Sequence, residues 1–193
     1  TEAAPLLAYE DWWEFAPKSC GKCVDSVEVR IDSDDPYKKV GEIQARGYSI
    51  MSGYYKNEEA TAAAFTEDGW MRTGDLGVID AAGNIFIRGR SKNMILSANG
   101  QNIYPEEIEA VINNQDYVIE SVVVDRGASL VALVYVDGDK LTADGLNLDE
   151  QMALMRTAVN AEMPAYSKIS KVEVMAQPFE KTPKMSIKRF MYK

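Results

Sequence analysis

A chain of 193 residues with 46% hydrophobic and 26% charged residues has the composition of a soluble folded protein of one domain or two small ones. Its formal net charge of −9 argues against a general nucleic-acid or anionic-membrane binder, because both need a basic surface that releases counterions. No apolar run is long enough to span a bilayer, and we predict a cytoplasmic protein, with peripheral contact to a membrane left open.

Two cysteines near the start of the chain, Cys20 and Cys23, have the spacing of a redox disulfide or of half a zinc site. A redox motif needs a helix that begins at the first cysteine, whereas the following "VDSVEVRID" alternates apolar and polar residues like a strand. A zinc site needs four ligands, and the sequence has no histidine and no second cysteine pair. We therefore predict two reduced thiols with no part in chemistry.

Short strands are predicted for the first half of the chain, up to about Arg90. Glycine and aspartate separate them, most clearly in "DAAGN" at 80–84, where Gly83 and Asn84 tolerate positive φ. One short helix, "EEATAAAF", follows Asn57, which is a typical N-cap residue. The predicted strands are "SVEVRI", "GEIQARG", "LGVID" and "NIFIRGR".

After Arg90 the periodicity changes. "YPEEIEAVINN" predicts a helix with Pro105 in its first turn, and "LDEQMALMRTAVNAEM" predicts a second, amphipathic helix. Between them, "VIESVVVDR" and "SLVALVYVD" predict a hairpin that turns at Gly127 and Ala128. "KVEVMAQP" predicts a last strand. The apolar face of the second helix is predicted to be core packing rather than a ligand surface: Met152, Met155, Val159 and Met163.

These patterns together predict an α+β protein of two domains. The β-rich domain at 1–90 is expected to be a barrel-like antiparallel sheet, and the domain at 91–193 a small α/β structure. The boundary is expected near Gly89–Lys92, where the strand pattern ends.

Two motifs carry side chains that suit a nucleotide. In "WMRTGDLG", at 70–77, both oxygens of Asp75 could accept hydrogen bonds from the hydroxyls of a ribose 2′,3′-diol. In "GRSKNMILSANGQNIYPEEIE", at 89–109, Arg90 could donate to ribose or phosphate oxygens. Each residue has an ordinary alternative role. Asp75 could be a turn residue that accepts local backbone N–H groups, which its motif alone favours, and Arg90 a surface charge at a strand end.

Four motifs occur in the order and spacing typical of AMP-forming acyl-CoA synthetases, a superfamily that includes luciferases and nonribosomal adenylation domains. They are "GEIQARGYSIMSGYYKNEEAT", "WMRTGDLG", "GRSKNMILSANGQNIYPEEIE" and "KTPKMSIKR". The opening "TEAAPLLAYE" resembles the end of that family's "YGxTE" motif, and with "TPKMSIKR" it looks most like the long-chain fatty acyl-CoA ligases. The resemblance implies a C-terminal fragment: the end of the adenylating, AMP-binding domain at 1–90, then the mobile lid domain at 91–193.

The resemblance also implies a role for individual residues. Thr1 and Glu2 match residues that contact the AMP phosphate and help to hold Mg²⁺. Asp75 matches the aspartate that binds the ribose hydroxyls, and Arg90 matches the arginine that supports it. Lys92 matches the hinge about which the lid rotates between the two half-reactions. Gly100 matches the glycine whose missing side chain lets pantetheine reach the acyl-adenylate.

The last motif departs from the family pattern, which reads approximately "KTxxGKIxR". Its lysine stabilises the charge that develops as the carboxylate attacks the α-phosphate, and Ser186 stands at that position here. A serine carries no charge, so this stabilisation is either lost or supplied by a neighbour. If the segment is extended, Lys184 and Lys188 share a face with Ser186 at roughly 7 Å, an offset that a lysine side chain could cover.

The implied reaction is that of an ATP-dependent acid–thiol ligase, in which carboxylate and ATP give acyl-AMP and pyrophosphate, and CoA then displaces AMP. A long-chain fatty acid, ATP and CoA are the expected substrates, Mg²⁺ the expected metal, and the rest of the N-terminal domain the expected partner. The family's glycine- and serine-rich phosphate loop does not occur in the chain, so we expect the fragment alone to be inactive. Two alternatives stay open: a non-catalytic member, and a member that passes the acyl group to a carrier protein.

Overall fold

The structure is a computed structural model that describes residues 2–97, 99–127 and 129–192. Two compact units meet in the sequence between Lys92 and Asn93, close to the boundary expected from the sequence. Thr1 and Ala128, which the sequence analysis singled out, lie outside the described residues. In the described part of the chain, every helix is too short or too polar to cross a lipid bilayer.

The first unit is built on an antiparallel sheet of four strands in the order β3-β4-β5-β6. A two-stranded ribbon, β1 with β2, lies beside it, and one short helix, α1, interrupts the strands. The elements are β1 (Ala8–Tyr9), β2 (Lys22–Cys23), β3 (Val27–Asp32), β4 (Gly41–Gly47), α1 (Glu58–Ala64), β5 (Met71–Ile79) and β6 (Ile85–Arg90).

The expected antiparallel pairing is confirmed, but the described strands do not close into a barrel, because β3 and β6 are the two edges of an open sheet. The core is instead made on the faces of the open sheet, where alternate side chains of neighbouring strands meet. It contains Val27, Ile31, Ile43, Ala45, Met71 and Ile85.

The predicted N-cap of α1 is confirmed, since the side chain of Asn57 accepts a hydrogen bond from the backbone N–H of Ala60 at 2.9 Å. The predicted turn at 80–84 is also confirmed, with Gly83 at a φ of 91°. There the carboxylate of Asp80 accepts from the Asn84 side chain and from backbone N–H groups, and the Asn84 side-chain bond in particular lowers the pKa of Asp80. Both cysteines are free and exposed.

The second unit has a three-stranded sheet in the order β11-β10-β9, in which β9 and β10 are antiparallel and β10 and β11 are parallel. A small hairpin, β7 with β8, precedes it. The elements are β7 (Ile95–Leu96), β8 (Asn102–Ile103), α2 (Pro105–Asn113), β9 (Val118–Asp125), β10 (Leu130–Val136), α3 (Gly138–Ala143), α4 (Leu148–Glu162) and β11 (Ile169–Val174). The other two helices are those predicted from the sequence, whereas α3 was not predicted.

Both faces of this sheet are covered, which explains why β9 and β10 are almost continuously apolar rather than alternating. Helices α2 and α4 pack on one face, where Met152, Met155 and Val159 are buried as predicted. The C-terminal segment covers the other face, where Phe179 is 3% exposed. The second cluster contains Val122, Val124, Val131, Leu133 and Phe179, with Ile187 and Tyr192 packed against it.

Candidate nucleotide site and C-terminal turn

Asp75 and Arg90 are direct cross-strand partners on β5 and β6. Nη1 of Arg90 donates to Oδ1 of Asp75 at 2.7 Å, and the two side chains are 55% and 28% exposed. Asp75 therefore lies inside a strand rather than in a turn, and the guanidinium orients its carboxylate. A partly exposed ion pair contributes only about 0–1 kcal/mol to stability, so stability alone gives little reason for this arrangement.

An irregularity in the sheet places Asp75. The pairing of β4 with β5 runs from Glu42 opposite Leu76 to Gln44 opposite Arg72, so three residues of β5 face a single residue of β4. The backbone groups that lose ladder partners at such a bulge must be satisfied in another way. Oε1 of Glu42 accepts from the N–H of Gly74 at 3.2 Å, where the glycine has a φ of 73°.

The Thr73 hydroxyl completes the bulge. It donates to the carbonyl of Ile43 at 2.6 Å and accepts from the N–H of Asp75 at 3.0 Å. Glu42 is further fixed by Arg72, whose Nη1 donates to its Oε2 at 3.0 Å. Glu42 is not among the site residues predicted from the sequence. A half-buried carboxylate opposite a Gly-Asp pair can be recognised only when the strand register is known.

Lys92, the expected hinge, is exposed within a single 3-10 turn, Ser91–Asn93, at the last residue of the first unit. Gly100 lies in the tight connection between β7 and β8, where its N–H donates to the carbonyl of Ser97 at 2.9 Å. Its φ is 78°, and a Cβ added there would meet no atom of the described residues within 4 Å. Open space at Gly100 is compatible with the role expected for it, which remains a prediction.

Glu2 is the residue expected to help hold Mg²⁺. Its Oε1 accepts a long hydrogen bond of 3.4 Å from the Tyr54 hydroxyl, and its carbonyl accepts from the N–H of Met51 at 2.8 Å. In the described part of the chain no group of three or more potential ligands is assembled for a metal ion. A single carboxylate fits Mg²⁺ nevertheless, because this ion is often held by one or two carboxylates together with substrate phosphates and water.

The C-terminal motif is a tight turn, so the condition of an extended segment, under which Lys184 and Lys188 would share a face with Ser186, does not hold. The N–H of Met185 donates to the carbonyl of Thr182 at 2.9 Å, and the N–H of Thr182 donates to the carbonyl of Ser186 at 2.8 Å. Lys181 and Ile187 are bridged as antiparallel partners. Pro183 restricts φ at the second turn position, and Met185 has a φ of 62° where the family motif has glycine.

The turn separates the two lysines proposed as substitutes, so Lys184 and Lys188 do not share a strand face with Ser186. Lys184 is exposed on the turn itself, beside the exposed Ser186. Lys188 lies after the turn, where its Nζ is 3.1 Å from Oε2 of Glu180. Earlier in the motif, Lys181 forms an ion pair with Glu120 of β9.

A buried ion pair ends the motif. Nη1 of Arg189 donates to Oε2 of Glu109 at 2.7 Å, and the two side chains are 17% and 10% exposed. Burial raises the pKa of Glu109 above its ordinary value, against the opposing effect of the Arg189 hydrogen bond. For Arg189, burial lowers the pKa, but the hydrogen bond to Glu109 and the negative charges of Glu109 and Glu106 together outweigh it, and the net change is upward. The sequence analysis missed Glu109, although its place between the buried Ile108 and Ile112 on α2 indicates an inward-facing carboxylate.

Comparison with known proteins identifies the class to which this architecture belongs. Residues 92–192 match the family described as AMP-binding enzyme C-terminal domain, and the chain belongs to that family. The chain spans about a quarter of the length of the curated relatives described next, so the match concerns a part of those proteins.

Three relatives illustrate the match. A 3-[(3aS,4S,7aS)-7a-methyl-1,5-dioxo-octahydro-1H-inden-4-yl]propanoyl:CoA ligase of Mycobacterium tuberculosis is 37% identical over 72% of this chain and 26% of its own length. The long-chain-fatty-acid–CoA ligase FadD15 of Mycobacterium bovis is 36% identical over 71% of this chain and 22% of its own. The solved O-succinylbenzoate coenzyme A synthetase MenE of Bacillus subtilis, in complex with AMP, has a TM-score of 0.83 at 25% identity, and covers all of this chain and 39% of the solved one.

Proposed function

We propose that this chain is the C-terminal part of an ATP-dependent acid–CoA ligase that first forms an acyl-adenylate and then transfers the acyl group to CoA. The observation that carries the proposal is the Asp75–Arg90 pair, 2.7 Å apart on adjacent strands, directly before the junction at Lys92. Family membership over 92–192 and the CoA-ligase names of several relatives support the same reaction class.

In this proposal the ribose of the nucleotide binds at Asp75. Its carboxylate accepts hydrogen bonds from the two ribose hydroxyls, and the hydrogen bond from Arg90 fixes the orientation of that carboxylate. Glu42 and the bulge keep the Asp75 backbone where the ribose needs it. Thr1 contacts the phosphate, and Glu2 is the carboxylate that would hold Mg²⁺, which when bound neutralises phosphate charge. Lys92 serves as the hinge, and Gly100 leaves room for pantetheine.

Lys184 is our choice for the cation that replaces the missing family lysine. It is exposed on the turn that also carries Ser186, whereas Lys188 lies beyond the turn and is only partly exposed. A lysine ammonium on a flexible four-carbon chain can follow the charge that develops on the α-phosphate. The favoured acyl substrate is a long-chain fatty acid, which rests on the resemblance of "TEAAPLLAYE" and "TPKMSIKR" to ligases of that class.

The test is acyl-CoA formation by the full-length protein that contains this chain, with ATP, Mg²⁺, CoA and fatty acids of different lengths. Wild type is compared with Lys184→Ala, Ser186→Lys and the matched Lys188→Ala. We expect Lys184→Ala to lower the rate of adenylation by about 10²–10³-fold, the loss typical of a removed charge stabiliser. Lys188→Ala should change it much less. The 193-residue chain alone should release no pyrophosphate from ATP.

Other outcomes identify the alternatives. An inactive wild type that gains turnover through Ser186→Lys would show a protein that has lost its adenylating lysine and acts without catalysis. If adenylation proceeds normally but CoA accepts the acyl group much less well than a phosphopantetheinylated carrier protein does, the carrier protein is the acceptor in the second step. If Lys184→Ala and Lys188→Ala lower the adenylation rate equally, the choice of Lys184 over Lys188 is wrong.

A further inference from the structure

Arg189 connects three parts of the second unit that are far apart in the sequence. Besides its 2.7 Å bond to Glu109 of α2, its Nη2 donates to the carbonyl of Val123 in β9 at 3.2 Å. The other oxygen of Glu109 accepts from the N–H of Val123 at 2.6 Å. Helix, strand and C-terminal segment therefore meet in one closed set of hydrogen bonds, in which both oxygens of Glu109 are used.

The Glu109–Arg189 bonds lie immediately beside the turn that carries Lys184. Arg189 follows Lys188, whose N–H donates to the carbonyl of Glu180 at 2.8 Å and so closes the base of the turn. At the other end of the same segment, Phe179 is buried against the sheet and packs edge to face on Tyr192, with ring centroids 5.0 Å apart. Residues 183–186 of the turn are exposed, so the position of the turn depends on these anchors at its base.

A buried ion pair is a poor way to gain stability. Removing both charges from water costs several kcal/mol, and replacing such a pair with apolar side chains of similar size is often neutral or stabilising. What the pair supplies here is geometry: a planar guanidinium that bonds the carboxylate and a carbonyl at once can occupy only one position on the sheet.

We propose that Glu109 is a positioning residue for the adenylation step, acting through Arg189 to hold the 182–186 turn, and with it Lys184, at a fixed place on the second unit. This inference rests on the function proposed above. It adds a buried residue of α2, which does not touch substrate, to the groups on which the first half-reaction depends. A misplacement of about 1 Å at a reacting group can cost about 10²-fold in rate.

A double-mutant cycle on the full-length protein tests it. Glu109→Gln, Arg189→Met and the double variant are assayed separately for pyrophosphate exchange and for thioester formation from preformed acyl-adenylate. Glu109→Gln keeps an oxygen for the Val123 N–H but turns its amide donors towards the guanidinium. We expect each single variant to slow adenylation by about 10–100-fold, the double variant to be no slower than the worse single one, and thioester formation to change less than threefold.

Two controls separate positioning from a general loss of structure. Glu173→Gln removes two partly exposed ion pairs of the same unit, with Arg126 at 3.1 Å and with Lys171 at 2.8 Å, and should leave both half-reactions unchanged. Amide hydrogen exchange of the 193-residue chain reports the turn directly. In Glu109→Gln, protection should fall at Thr182 and Lys188 but persist in β10.

The outcomes are distinguishable. If wild type has no ligase activity, the proposed function is wrong, and the exchange data still decide whether Glu109 holds the turn. If wild type is active and Lys184→Ala impairs it while Glu109→Gln does not, the positioning role is overturned. Equal losses in both half-reactions, with exchange increased throughout the sheet, would also overturn it, because that pattern shows unfolding. An intermediate rate for Arg189→Lys, which keeps the charge and loses the fork, supports it.

Discussion

Phe179 gives the sharpest test of how the C-terminal segment is held on the second unit. Its side chain is 3% exposed in the cluster formed by β9 and β10, and its ring packs against Tyr192. Phe179→Ala removes the whole ring and leaves a cavity, a change that costs about 3–5 kcal/mol in well-packed cores. Phe190→Ala makes the same chemical change in the same segment, where the ring is 74% exposed, and should cost less than about 0.5 kcal/mol.

Urea unfolding of the whole chain can follow the two units separately. All three tryptophans, Trp12, Trp13 and Trp70, lie in the first unit, whereas the longest helices, α2 and α4, lie in the second. Tryptophan fluorescence therefore reports the first unit, and the far-ultraviolet helical signal mainly the second. With m near 1–3 kcal/mol/M, a loss of 3 kcal/mol lowers the midpoint by about 1–3 M.

We expect Phe179→Ala to lower the midpoint of the helical signal and to leave the fluorescence midpoint within error. Equal midpoints for Phe179→Ala and Phe190→Ala would refute the reasoning, because the buried ring would then contribute no more than the exposed one. A fall of both signals in Phe179→Ala would show that the two units unfold together, and the packing cost would then be read from the joint transition.

Two further predictions concern the first unit. Gly21→Ala should destabilise it by roughly 2–4 kcal/mol in fluorescence-monitored unfolding, because a Cβ at Gly21 would lie 1.9 Å from the carbonyl oxygen of Tyr9. The control is Gly83→Ala, which has a similar positive φ. A Cβ there would lie no closer than 4.0 Å to any other described residue, so this change should cost about 1 kcal/mol. The Arg30 hydrogen bond lowers the pKa of Asp68 below its ordinary value of 3.8, so its contribution to stability is present above about pH 4 and is lost as pH falls further. Asp68→Asn should weaken this acid sensitivity, and an unchanged pH profile would contradict the assignment.

The local elements could be read from the sequence because their signals are local. Helix α4 can be predicted from the 3.6-residue spacing of its apolar residues alone. The Asn57 cap involves only one side chain and a backbone N–H three residues further along the chain. Asp75 and Arg90 were likewise found from short motifs and from resemblance. Their direct pairing at 2.7 Å is a fact of strand register, which those motifs do not contain.

The C-terminal motif shows why side-chain positions cannot be predicted by counting residues along the sequence when the backbone conformation is unknown. An extended segment would place Lys184 and Lys188 on one face, but Pro183 and the positive φ of Met185 form a turn that separates them. The proline was a turn signal available in the sequence, whereas a methionine in the left-handed region was not, because that conformation strongly favours glycine.

The sequence by itself determined the α+β class, two of the three helices of the second unit, the apolar faces, and the motifs that relate the chain to AMP-binding enzymes. Only the tertiary structure decided that the first sheet is open, that Glu42 supports the bulge at Gly74, and that Glu109 meets Arg189 across 80 positions of sequence. The physical reason is the range of each effect. Periodicity and capping act within a few residues, while strand register and buried ion pairs exist only once distant segments have packed together.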